Sequence, residues 1–238
     1  LKVCGSIRAV EKGEEIHSEI VRAGLMETNF FLENTLMDMY AKCGAMAKVR
    51  KVFDERRSRD VVSWNILLRG NCQLELIEDV LHCFDRILCE GLCPDRETFS
   101  CMLKACSCHG LTGKGKSVHA QLFRSAWLQY SNILGNALVD MYIKCGVVWE
   151  AQRVFNDLPF KDVVSWTTLL TGYAQLRQDA EALNCLEQMQ HEGYSPDVVT
   201  YACILKSCGS LVAADKGEKI HAEIVREGLV GKTCVLDT

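Results

Sequence analysis

Apolar positions along this chain recur at helical spacing and are cut by regular punctuation. Leu169 and Tyr173 stand four apart, and Ala182, Leu186 and Met189 follow at i, i+4 and i+7, the spacing of one helix face. Gly193 closes that second segment, Pro196 comes three residues later, and Asp197 stands where an N-cap belongs before the next run. Elsewhere Gly44 and Gly146 close a first helix, and Val49, Val52 and Phe53 form the apolar stripe of the helix after Gly44. Strand-like alternation is confined to two short joints, DVVSW at 60–64 and 162–166. The pattern predicts an all-α chain of consecutive helix pairs.

The pairs repeat. Sliding the sequence against itself by 102 residues aligns it without a gap. LKVCGS (1–6), LKACSC (103–108) and LKSCGS (205–210) fall together, as do NTLMDMYAKCG (34–44) and NALVDMYIKCG (136–146). Three phrases fill each period: 31 residues at 30–60 and 132–162, 35 at 61–95 and 163–197, and 36 at 96–131 and 198–233. Self-similarity at a fixed spacing marks a stacked array, because one helix pair cannot bury its own apolar face. The expected product is an all-α superhelix with a concave inner wall. Residues 1–29 match the later part of a 36-residue phrase, and 234–238 begin another 31-residue one. Neither end carries a polar capping repeat, so the repeats are expected to continue in both directions.

Composition narrows the picture. The chain has 238 residues, 48% hydrophobic and 24% charged, which is globular rather than disordered. Only three prolines occur, which favours helix. No run of about 18 apolar residues exists, so no membrane span is expected. Of the 14 cysteines several recur at a fixed interval on helical segments, and they read as free buried thiols of a reducing compartment rather than a disulfide framework. A net charge of −4 argues against a strongly basic nucleic-acid binder. One local basic run, KVRKVFDERRSRD at 48–60, holds Lys48, Arg50, Lys51, Arg56, Arg57 and Arg59 among three acids. It is either a local field for phosphates or, with the larger share, a solvated helix face.

The phrases NALVDMYIKCG, VVSWTTLLTGYAQ, AQRVF and IHAEIVREGL, and the order of the three lengths, resemble the plant pentatricopeptide-repeat family along the whole chain. The subclass it resembles alternates P-, L- and S-type repeats. The resemblance implies a right-handed superhelical solenoid of stacked antiparallel helix pairs, with 30–60 and 132–162 S-type, 61–95 and 163–197 P-type, and 96–131 and 198–233 L-type. It implies a monomeric binder of single-stranded RNA in a mitochondrion or chloroplast, reading one base per repeat. Organellar RNA-editing factors are implied as further partners, with no cofactor, metal or membrane. In the family the fifth and last residues of a repeat choose the base, and the second packs against it. Here those pairs are Asn34 with Asp60, Asn65 with Asp95, Asn136 with Asp162, and Thr167 with Asp197. The 36-residue repeats carry Ser100 with Ser131, and Ala202 with Thr233, which are weaker pairs. The second positions are Phe31, Val62, Ile133, Val164 and Val199, while Glu97 departs from the apolar pattern. The implied footprint is U-U-n-U-G-n, 5′ to 3′.

The same residues have plainer readings. Each terminal Asp can be a helix N-cap, Asn or Thr in a first turn can satisfy free backbone donors, and the second positions can be inter-repeat packing. An enzyme reading has little to rest on. HSE (17–19) and HAE (221–223) match half of a zinc-deaminase signature, but no P-C-x-x-C accompanies them, and His17, His119 and His221 read as packing positions. CSCH at 106–109 lacks four-ligand zinc spacing. GLTGKGKS at 110–117 fails the phosphate-loop spacing and is expected in an inter-helix turn. A tetratricopeptide-like protein-binding scaffold is the alternative to RNA binding, and the acidic balance suits both.

Overall fold

Helix ends are set by two residue types. Gly44, Gly91, Gly110, Gly146 and Gly193 follow helices at positive φ, between +63° and +84°, where a side chain would be strained. Asp60, Asp95, Asp162 and Asp197 start the next helices. Their Oδ1 atoms accept from the backbone N–H groups of Ser63, Thr98, Ser165 and Thr200 at 2.8–2.9 Å. At Asp60 and Asp162 the serine hydroxyl bonds back to the aspartate backbone N–H, completing a capping box. The DVVSW joints are therefore first helical turns, and only the aspartate is extended.

The computed structural model describes residues 1–26, 29–56, 58–210 and 214–226. Among them are fifteen helices and no strand. They run α1 (Lys2–Ser6), α2 (Val10–Arg22), α3 (Phe30–Lys42), α4 (Met46–Asp54), α5 (Val61–Gln73), α6 (Ile77–Cys89), α7 (Arg96–His109) and α8 (Thr112–Arg124). After these come α9 (Trp127–Tyr130), α10 (Asn132–Lys144), α11 (Val148–Asp157), α12 (Val163–Gln175), α13 (Asp179–His191), α14 (Val198–Ser210) and α15 (Ala214–Arg226). Two compact units divide the chain, Leu1–Ala105 and Cys106–Thr238. Within each, successive pairs stack through their first helices: α1 on α3 on α5 in one, α10 on α12 on α14 in the other. Each unit is an all-α solenoid segment of antiparallel helix pairs.

The predicted stripes form the core. Val49, Val52, Phe53, Leu169, Tyr173, Ala182, Leu186 and Met189 are all buried. The two copies reuse one packing vocabulary. Phe53 meets Trp64 edge-on at 4.6 Å, and Phe155 meets Trp166 at 4.7 Å. His17 shares a hydrogen bond with Tyr40 at 3.0 Å, and His119 does so with Tyr142 at 2.9 Å. These two histidines are packing residues with a ring nitrogen engaged, while His221 lies exposed on α15.

Three expectations need correction. GLTGKGKS is not a turn throughout: only Gly110 and Leu111 connect helices, and α8 begins at Thr112. The described cysteines are free but not uniformly buried, since Cys89, Cys93 and Cys108 are exposed. The basic run at 48–60 is a solvated face only in part, because its described cations are ion-paired and one of them is buried. Lys48 pairs with Glu14, Arg50 with Asp79, Lys51 with Glu55 and Arg59 with Asp54. Arg56 is buried, and Arg57 lies outside the described residues.

Some glycines exist for close approach. A Cβ on Gly172 of α12 would lie 2.4–2.8 Å from three side-chain atoms of Ile143 on α10. Gly172→Ala is expected to destabilise the protein by about 1–3 kcal/mol through overpacking. Gly113→Ala, in open space on α8, is expected to be neutral or slightly stabilising. Urea melts of the two variants check the contrast. The cap gives a second test. Burial would raise the Asp162 carboxyl, but hydrogen bonds from Ser165, Asn132 and Asn136 hold it below the usual carboxylate range. A lowered folded-state value means stability present above the unfolded carboxylate pKa and lost as pH falls through the folded one. Asp162→Ala is expected to cost about 1 kcal/mol at neutral pH. Asp162→Asn, still a good cap, should cost less and flatten the acid limb in melts between neutral pH and about pH 3.

Candidate nucleic-acid interface

The capping aspartates also hold the fifth residue of the preceding helix pair. In the 61–95 repeat, Asn65 Nδ2 donates to both carboxylate oxygens of Asp95, at 2.9 and 3.0 Å. Thr98, itself the N3 residue capped by Asp95, donates its hydroxyl to Asn65 Oδ1 at 2.6 Å. The pair is thus closed through the first turn of the following helix. In the 163–197 repeat the connection is indirect. Thr167 Oγ1 lies 2.8 Å from Thr200 Oγ1, and Thr200 donates to Asp197 Oδ1 at 2.8 Å. In the 30–60 and 132–162 repeats Asn34 and Asn136 lie beside Asp60 and Asp162 and help to hold those carboxyls below the usual carboxylate range. Residues 26 or 30 apart in sequence are brought near one another four times, each time at a helix start.

Asn and Asp differ in how they face solvent. Asn65 is 2% exposed, with both functions of its carboxamide engaged. Asp95 is half-buried, and Asp197 is exposed. The aspartate is therefore the outward member of the pair, with the amide anchored behind it. Asn34, Asn136 and Thr167 are half-buried. Burial would raise Asp60 as it would Asp162, but the Ser63 backbone and hydroxyl, Arg56 and Asn34 hold it below the usual range. Both carboxylates are anionic, acceptor-only groups at neutral pH.

Three positions before each of the fifth residues Asn34, Asn65, Asn136, Thr167 and Ala202 the sequence has a row of apolar residues. Phe31 is 70% exposed, and Val62, Ile133, Val164 and Val199 are 52–60% exposed. Packing between repeats does not cover them, which removes the plainer reading of these positions. An apolar side chain left uncovered at the same place on successive helices is a surface to be covered by something flat. Lys2 Nζ lies 6.0 Å from the centre of the Phe31 ring. Glu97 breaks the row and ion-pairs with Arg69 at 2.6 Å.

The weaker pairs are less well formed. Ser100 donates to the Arg96 carbonyl of its own helix at 2.8 Å. Ser131 caps α10 through the Leu134 backbone N–H at 3.4 Å. Ala202 has no polar side-chain group, and Thr233 lies outside the described residues. One residue that sequence reasoning had assigned elsewhere enters the site: Arg56, whose guanidinium donates to Asn34 Oδ1. A signal for it was present, since Leu158 occupies the matching place in the other copy.

Comparison with known proteins agrees with the repeat geometry. The model of the PPR repeat family matches residues 59–108 and 161–210, and that of the PPR repeat matches 34–60 and 136–163. A chloroplastic pentatricopeptide repeat-containing protein of Arabidopsis thaliana is 34% identical over 222 residues, 93% of this chain and 36% of that protein. A mitochondrial one from the same plant is 33% identical over 231 residues, 96% of this chain and 30% of that protein. The chain spans about a third of the length of the curated relatives it matches. The crystal structure of the pentatricopeptide repeat protein PPR10 from maize superposes with a TM-score of 0.82 at 26% identity, over 95% of this chain and 33% of that one. PPR10 in complex with an 18-nt psaJ RNA element superposes at 0.75, with the same identity, over 95% of this chain and 34% of that one. Helix pairs, joints and matched segments agree, and the chain belongs to the pentatricopeptide repeat family.

Proposed function

We propose that this chain binds single-stranded RNA sequence-selectively, one base per repeat, through the four linked pairs. The observation that carries this reading is the pairing itself. Asp95 holds Asn65 directly, Asp197 reaches Thr167 through Thr200, Asp60 and Asp162 lie beside Asn34 and Asn136, and each of these repeats leaves the apolar side chain at its second position uncovered. A base meeting such a site finds an apolar surface for its face and a fixed donor–acceptor set for its edge. Similarity to PPR10, which has been crystallised with an RNA element, supports RNA as the ligand. The 35/36/31 rhythm supports alternating P-, L- and S-type repeats over the boundaries given above. Relatives named chloroplastic and mitochondrial support an organelle as the site of action, where the RNA would be placed for editing or processing.

The charge balance shapes how such binding works. The described basic residues of 48–60 are ion-paired or buried, so they offer few free cations to phosphates. Binding then rests on base contacts more than on the backbone, and its salt dependence is shallow. A protein-binding scaffold would leave the polar pairs without a reason to vary between otherwise similar repeats.

The test is fluorescence anisotropy with oligonucleotides carrying U-U-n-U-G-n and single-base changes of it. Substitution at the first, second, fourth or fifth base is expected to weaken binding, and substitution at the third or sixth to matter little. Affinity indifferent to all six bases would overturn the reading. Within it, Thr167→Asn is expected to shift preference at the fifth base from G toward U by about 1–3 kcal/mol. The other positions should be unchanged.

A further inference from the structure

The 30–60 and 132–162 repeats carry the same Asn and Asp pair, yet their surroundings differ in a coordinated way. Glu33 and Arg56 in the first copy stand where Gly135 and Leu158 stand in the second. The two exchanges are sterically linked. A Cβ on Gly135 would lie 2.4 Å from Leu158 Cδ2, so leucine fits there only because residue 135 has no side chain. In the first copy the Arg56 side chain is 1% exposed and lies with Nε 3.2 Å from Glu33 Oε2. A buried arginine without its acid would be strongly destabilising, so Glu33 is what permits Arg56. The Phe30 ring lies 5.8 Å from the guanidinium carbon. This is a built polar cluster beneath one selector pair, absent from its twin.

Its effect falls on Asn34. Arg56 Nη1 donates to Asn34 Oδ1, and Nη2 lies 3.9 Å from Asp60 Oδ1. In the second copy Asn136 Oδ1 is buried and has no hydrogen-bond partner among the described residues. The same amide therefore presents different chemistry. At Asn136 the carbonyl oxygen is buried but unpaired, so a donor that reaches it meets a free acceptor. At Asn34 a charged donor already occupies it, leaving the amide N–H as the available group. Uracil carries a donor at N3, whereas cytosine carries an acceptor there.

We infer that Arg56, held by Glu33, is a positioning residue that alters base selection in the 30–60 repeat. It lowers that repeat's discrimination of uracil from cytosine relative to the 132–162 repeat. This inference rests on the RNA-reading proposal above, and it goes beyond the two-residue selector by adding a third determinant from within the same repeat.

The test is a reciprocal swap in this chain. E33G/R56L rebuilds the second copy's environment around Asn34, and G135E/L158R rebuilds the first copy's around Asn136. Each is titrated with oligonucleotides bearing U or C at the first and fourth bases, with thermal melts as a check on folding. In the unaltered protein the U:C ratio is expected to be lower at the first base than at the fourth. E33G/R56L is expected to raise the ratio at the first base by about tenfold, and G135E/L158R to lower it at the fourth by a similar factor. A purely structural role for Arg56 would change melting temperature, or affinity for every oligonucleotide, but neither U:C ratio. Unchanged ratios in whichever swap folds, with selectivity retained at the fifth base, would overturn this inference alone. Loss of selectivity at every base in the unaltered protein would overturn the RNA-reading proposal instead.

Discussion

The carboxylate at each repeat joint has two simultaneous duties. Asp95 caps the helix that follows it through the Thr98 backbone N–H, and it grips Asn65 from the helix pair that precedes it. Asp60, Asp162 and Asp197 occupy the same situation. Free backbone donors at a helix start require an acceptor whatever the protein does. Once that acceptor is a carboxylate, its remaining lone pairs face the preceding repeat and take up the fifth residue. Capping and base reading are therefore not rival accounts of these aspartates. The cap sets where the carboxylate sits, and that position is what makes it useful at a surface.

This explains which residue of each pair is free to vary. Changing the aspartate disturbs a helix start and the stacking of two helix pairs. Changing the fifth residue alters one side chain at the edge of an already ordered network. Asn65 and Thr167 occupy equivalent positions in near-identical segments, and each finds partners without any shift of the helices: Asp95 and Thr98 for one, Thr200 and the Val163 carbonyl for the other. The buried Thr98 and Thr200 hydroxyls bridge the difference in reach between a carboxamide and a hydroxyl. The fold thus tolerates a selector change because the capping turn supplies adaptable hydroxyls behind it.

The helices were legible in the sequence because their punctuation is local. Gly44, Gly146 and Gly193 mark stops by backbone conformation alone, and Asp60 and Asp162 mark starts within four residues. The stripes at Val49, Val52 and Phe53 needed only a helical period. What sequence reasoning missed depends on distant neighbours. Asn65 is paired with Asp95 in the sequence only through the family resemblance, and the Thr98 hydroxyl that closes over it has no signal there. Lys48 looks like a free cation until Glu14 of an earlier helix pair meets it. Arg56 looks like one basic residue in a run of six, and only its 102-residue alignment with Leu158 marks it as a core position. The second positions had two readings in sequence, contact with a base or packing between repeats, and Val62 and Val164 stand in solvent because the same turn buries Ser63 and Ser165 instead.

Rigidity completes the argument. A selector pair discriminates between bases only if its donors and acceptors stay put when the wrong base arrives. Here the pairs sit on helices whose separation is limited from both sides. Gly172 allows α12 to approach Ile143 until no room for a methyl remains, and Trp166 against Phe155 resists further collapse. The capping hydrogen bonds then fix the rotation of each first turn about its own axis. A repeat built this way can exchange one or two side chains around the pair and keep its helices in place, as the buried Arg56 and Leu158 environments illustrate. It cannot accommodate the exchange by loosening, because looser helices would cost the close contacts at Gly172 and the aspartate caps together.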